Sequence, residues 1–248
     1  MTHLLPADAT PPFVQGPFVI RRIHPGLIDG RPTQDPVVGP LAIVDHATLG
    51  VGTLVNMHEH RNDEILSYIW RGTMIHEDST GQRIPISPQK LMMMNAGRSF
   101  WHEESTPDEP VEMLQIFVRP EAADLDAGVH FYDRPADFRD GRWNHIGGPA
   151  GSGAPLTIRN QVHVYDIHPS AGDRIEVPTA EGMRQWVYVM DGEIELGGQA
   201  VRKGDAISDL TGDLPPLTVT QDATVVAFLA DPDAGASLAG SISGYGGR

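Results

Sequence analysis

The sequence predicts an all-β protein built as two barrel-like halves, and three observations predict it. The apolar stretches are short, the clearest being 18–20, 41–44, 65–70, 113–118, 185–190 and 224–229. Between them stand Pro-Gly, Asp-Gly, Gly-Gly and Thr-Gly pairs, which punctuate a chain rather than continue a helix. Few windows carry the helical apolar period of about 3.6 residues. Short strands joined by many turns suit a sandwich or a barrel. The 27 Gly and 21 Pro among 248 residues supply those turns.

Each element can be placed in order. Residues 1–140 are expected to form a first barrel and residues 156–232 a second, joined by the Gly- and Pro-rich linker 141–155. A strand, a short turn and another strand recur at 67–75 and 186–196, each with a tyrosine followed by a glycine, which suggests a duplicated barrel. The Gly-, Ser- and Ala-rich tail 233–248 leaves two outcomes, a mobile end or an extended arm across the other half.

Composition removes several classes of function. There is no cysteine, so disulfides, zinc fingers and iron–sulfur clusters are excluded, and any metal must be held by nitrogen and oxygen. The 33 Asp+Glu against 18 Lys+Arg give a net charge of −15, which repels a phosphate backbone and argues against direct nucleic-acid binding. No apolar run is long enough to span a membrane as a helix. The first residues show no basic patch followed by an apolar core, so a cytoplasmic location without a signal peptide is expected.

His58 and His60 are two apart, as are His102 and Glu104. On a strand, residues i and i+2 face the same side. Three imidazoles and one carboxylate can therefore converge inside one barrel, a donor set suited to Fe, Mn, Ni, Cu or Zn. The same parity selects Glu104 over Glu103 and puts Glu64 on the side of His58 and His60.

The run His58-x-His60-Arg61, Glu64, Tyr68, Gly72, His76-x-Asp78-Ser79-x-Gly81, Met94-x-Ala96-Gly97, His102-x-Glu104 and Leu114-Gln115 resembles the pirin family of the cupin superfamily. The resemblance is close over residues 40–120 and looser elsewhere. It implies a bicupin, two antiparallel, jelly-roll-like β-barrels facing each other, with one metal in the first. It implies Fe(II) as that metal, held by His58, His60, His102 and Glu104. It also implies dioxygen-dependent opening of a flavonol such as quercetin, or of a related enolic aromatic. Glu104 or Glu64 is then the expected general base. The alternative is a metal-dependent regulatory protein that binds a protein partner according to redox state. A monomer is expected in either case. The chain departs from the family pattern at Glu59, at Gln89-Lys90 and at Ser99-Phe100-Trp101, which bears on pocket shape and so on substrate.

The other candidates have plainer readings. His76 reads as a polar residue where a strand meets a turn. Met92, Met93 and Met94 cannot all face one ion from a strand, so they read as core. Trp70, Trp101 and Trp186 could line an aromatic pocket, though tryptophan is more often core. The second half has no His-x-His, and 181–186 carries no histidine, so it reads as a structural lid or partner surface without a metal.

Overall fold

A computed structural model describes residues 1–29 and 34–244. Among the described residues there is no α-helix, only a 3₁₀ turn at Pro25–Asp29, and the strands form three sheets. None of the three closes on itself. The expected barrels are therefore open sheets stacked as sandwiches, and the two-half plan and the antiparallel pairing are as the sequence predicts, apart from the short parallel pair of Asn144–Gly148 with Leu156–Thr157.

The layers explain the apolar pattern. A four-stranded sheet carries Thr53–His60, Phe100–Thr106, Met74–Asp78 and Arg83–Ile86, in that order. A seven-stranded sheet, with Glu64–Arg71 and Val111–Val118 at its centre, lies between it and the second half. Its central strands are covered on both faces, so they read as continuous apolar runs rather than alternations. Successive residues divide between the layers. Leu66, Tyr68, Met93 and Leu114 pack with Trp186, Tyr188 and Phe228 of the second half. Met92 packs with Met74 and Ile86 of the four-stranded sheet, and Met94 with Phe100. The three methionines are thus core, split between two faces.

The second half is a nine-stranded sheet centred on the long strands Arg184–Leu196 and Leu217–Ala230. Two features depart from the expected boundaries. Thr2–Leu5 pairs with Ala206–Asp209, so the first strand of the chain belongs to the second half's sheet. Leu4 and Leu5 pack against apolar clusters there and between the halves, which gives that strand its place. Asn144–Gly148, inside the expected linker, is a strand paired with Val162–Ile167, and its Ile146 is fully buried. The tail crosses the first half, with Ser237 N donating to Pro120 O at 2.8 Å and Ser241 N to Arg61 O at 2.8 Å.

Buried polar ties join the halves. Arg134 donates to both oxygens of Asp166, at 2.6 and 2.8 Å, and Tyr68 donates to the same carboxylate at 2.9 Å. Burial alone would push the Asp166 carboxyl up, but His168 and Arg134 together hold it below the usual carboxylate range. Glu64 accepts from Arg159 Nε and Nη2 at 2.9 and 2.7 Å. Removing one partner of a buried pair strands the other charge. Arg134→Met is therefore expected to lower unfolding free energy by about 3–5 kcal/mol in urea titrations. Arg202→Met, at the exposed pair with Glu193, should change it by less than about 1 kcal/mol.

Candidate metal centre

Thr53–His60 and Phe100–Thr106 pair antiparallel, with His102 opposite His58 and Phe100 opposite His60. The register breaks between His102 and Glu104, whose partner is Val55, so Asn56 and Met57 together oppose Glu103. This is a β-bulge, and it re-aims side chains. Before it, Thr53 and Val55 face inward and Leu54 is exposed. After it the phase is inverted, so His58 and His60 face inward. Without the bulge they would share the outward phase of Leu54.

The donor atoms of His58, His60 and His102 lie within 4.8 Å of one another. His60 and His102 are buried and His58 half-buried. Burial, reinforced by the neighbouring histidines, pushes the His102 pKa down to about 2, and burial lowers that of His58 as well. Neutral imidazoles are what a metal ion needs.

The outer nitrogens are already engaged. His58 Nδ1 lies 2.8 Å from the Asn56 carbonyl oxygen, and His60 Nδ1 lies 3.2 Å from Asp63 Oδ2. Both partners only accept, so each Nδ1 carries the proton and each Nε2 of a neutral ring is a bare lone pair. Yet His58 Nε2 and His60 Nε2 are 3.1 Å apart. Two bare nitrogens at that distance repel unless a cation lies between or beside them. His102 Nε2 is buried with no hydrogen-bond partner in the protein, which is costly for a polar atom. These three nitrogens fit a divalent transition ion.

Glu104 shares the inward face with His102, as parity requires, while Glu103 is only half-buried. Its carboxylate stands outside the three-histidine cluster and accepts from Gln115 Nε2 at 3.1 and 3.0 Å. Burial raises its pKa to about 7, with His60 and Gln115 offsetting part of the rise.

Glu64 is elsewhere, which corrects its expected place beside the histidines. The inward strand ends at His60, and Asn62 turns with φ of 52°, so strand parity does not reach Glu64. Its carboxylate is committed to Asn95 and Arg159. The tryptophans also take other places. Trp186 is core, Trp70 is bonded to Thr224 between the halves, and Trp101, 43% exposed, lies on the outer face opposite Glu59.

Several residues behind the histidines escape sequence reasoning. His76 is fully buried, with its Nδ1 3.4 Å from His102 Nδ1 and its Nε2 3.3 Å from Asp78 Oδ2. The signal is His76-x-Asp78, a pair that local pattern alone cannot tell from a strand meeting a turn. Asp63 is also fully buried; burial raises its pKa, but bonds from His60, Ser241 and Ser243 outweigh this and hold it below the usual range. In the second half, His145 and His163 approach to 3.0 Å, and among the described residues no third donor completes a cluster there.

The raised pKa of Glu104 has a consequence for stability. A carboxyl whose pKa rises from 4.5 to about 7 on folding favours the folded state in acid, and that contribution is lost as pH climbs through this window. Metal-free Glu104→Gln should therefore be more stable than the unsubstituted chain at pH 8, by on the order of 3 kcal/mol, and nearly equal to it at pH 4. Thermal unfolding of chelator-treated protein at the two pH values measures this.

Known proteins share the sequence pattern and the fold of this chain. Residues 38–118 match the family model described as pirin, and residues 145–228 match that of the quercetinase C-terminal cupin domain. A Mycobacterium tuberculosis protein provisionally named a quercetin 2,3-dioxygenase is 29% identical over 178 residues, 69% of this chain and 71% of its own. The quercetin 2,3-dioxygenase of Escherichia coli is 22% identical over 190 residues, 76% of this chain and 81% of its own. The crystal structure of the bacterial pirin YhhW from Escherichia coli, in complex with nickel(II), superposes with a TM-score of 0.80 at 19% identity, covering 94% of this chain and 100% of that one. The two family matches follow one another along about two thirds of the chain, in the order of its two halves, so the chain is similar to pirins in its first half and to the quercetinase cupin in its second.

Proposed function

We propose that this chain is a pirin and a metal-dependent dioxygenase that opens a flavonol, such as quercetin, or a related enolic aromatic. The observation that carries the reading is the pair of facing Nε2 atoms in His58 and His60 beside the unpartnered Nε2 of His102. Those three histidines would hold the ion, with Glu104 as a fourth ligand or as the base beside it. Iron(II) is the first candidate, and nickel(II), found in the related YhhW structure, the second. When bound, the ion would lower the pKa of a substrate hydroxyl and supply redox chemistry toward dioxygen.

The chain's own groups do the remaining work. Glu104 can accept the hydroxyl proton on a carboxylate oxygen; burial raises its pKa to about 7 in the metal-free chain, and beside a bound cation the pKa falls and the carboxylate stays ionised. Gln115 donates to both of its oxygens and so fixes the carboxylate plane. Phe117 beside His60, and Phe100 and Phe131 beside His76, exclude water from the inner side of the histidines.

A second reading, a redox-dependent protein partner, is favoured by one observation. The outer faces of the two histidine strands expose Leu54, Met57 and Trp101.

Metal analysis combined with oxygen uptake tests the proposal. The metal-loaded chain is expected to consume oxygen with quercetin, and His58→Ala and His102→Ala to lose both metal and uptake. Glu104→Gln should retain the fold and slow uptake by about 100-fold or more. Loaded protein that consumes no oxygen with flavonols, but captures a partner in one oxidation state only, would favour the second reading.

A further inference from the structure

Asp63 collects an unusual number of donors, and most come from the far end of the chain. Ser241 Oγ donates to Oδ2 at 2.6 Å, Ser243 Oγ to Oδ1 at 2.7 Å and Ser243 N to Oδ1 at 2.9 Å. Ile242 N adds a contact of 3.1 Å to Oδ2. His60 Nδ1 reaches the same Oδ2 at 3.2 Å. Ser241 and Asp63 are 178 positions apart in sequence.

The turn that brings these donors is itself anchored. Arg61 N donates to Ser241 Oγ at 3.1 Å, and Arg119 Nε donates to Ser243 O at 2.6 Å. Ile242 packs against the apolar cluster that contains Phe117 and Phe100. Gly240 leaves the space this requires, since a Cβ there would lie 2.6 Å from Asp63 Oδ1.

We infer that residues 240–243 form a strap that completes the metal centre by fixing Asp63 as the orienting acceptor for His60. The inference rests on the three-histidine reading above. Asp63 is wholly buried, so its carboxylate needs its lone pairs satisfied by protein donors. The strap satisfies Oδ1 through Ser243 and shares Oδ2 with His60 through Ser241 and Ile242, which holds that oxygen against Nδ1. His60 then keeps its proton on Nδ1 and presents Nε2 to the ion. Without the strap the carboxylate has His60 as its main donor and is free to rotate, and the imidazole loses its fixed orientation. Asp63 and the two serines are positioning residues, since none touches the ion.

Coupling between strap and ion is reciprocal. A filled centre therefore protects the amides of Ile242 and Ser243 from hydrogen exchange relative to the metal-free chain.

The test uses the full chain with cobalt(II) as probe. Affinity is read by competition with a chromophoric chelator, and ligand geometry from the visible absorption of the bound ion. S241A/S243A is expected to bind cobalt about 10- to 100-fold more weakly, with an altered absorption spectrum. S237A, in the same tail but without contact to Asp63, should match the unsubstituted chain. A merely structural strap would lower the melting temperature of the metal-free protein and leave affinity and spectrum unchanged, which overturns the inference. If the unsubstituted chain takes up no cobalt, the three-histidine reading falls and the strap's role falls with it. If it binds and S241A/S243A binds equally, only the strap's role falls.

Discussion

Two neutral imidazoles on one strand, each with its outer nitrogen held by an acceptor, cannot rest with their inner nitrogens 3.1 Å apart unless positive charge joins them. That constraint organises the first half of the molecule. It needs both rings on the inner face, which the bulge at Asn56 and Met57 provides. It needs a third ring opposite, which the pairing of His102 with His58 provides. It needs acceptors behind the rings, and these come from Asn56, Asp63 and the His76–Asp78 pair. The seven-stranded sheet, apolar on both faces, forms the dry wall against which the arrangement is pressed.

Much of this was legible in the sequence, but not always for the reason given. Strand parity grouped His58 with His60 and His102 with Glu104, and those groupings are present. Parity alone, counted from the inward Val55, would have turned His58 and His60 to solvent. The bulge that corrects the phase has no sequence marker of its own. The same kind of count failed for Glu64, because the chain leaves the strand at His60 and turns through Asn62. The role of His76 is hidden from local pattern because its partner His102 is 26 positions away and meets it only through strand pairing. The Ser241–Asp63 contacts lay beyond any local pattern, since a Gly- and Ser-rich tail looks alike whether it hangs free or binds.

Open sheets in place of closed barrels follow from how the core is filled. Leu66, Tyr68 and Leu114 on one side of the central sheet, and Ile65, Ile69 and Met113 on the other, are all buried. A sheet with apolar side chains on both faces gains more by being covered on both than by curling around one of them. The buried ion pairs Glu64–Arg159 and Arg134–Asp166 then fix the register of one half on the other, since each needs its partner in place to avoid a stranded charge.

The two ends of the described chain are exchanged. Thr2–Leu5 lies in the second half's sheet, and Ser241–Ser243 lies against the first half's histidine strand. Severing the chain between the halves would thus give each fragment a segment whose seat is on the other. During synthesis the opening strand must wait for residues 206–209 before it finds a neighbour. The histidine cluster, made early, gains its last support only once Ser241, 178 positions beyond Asp63, has been made.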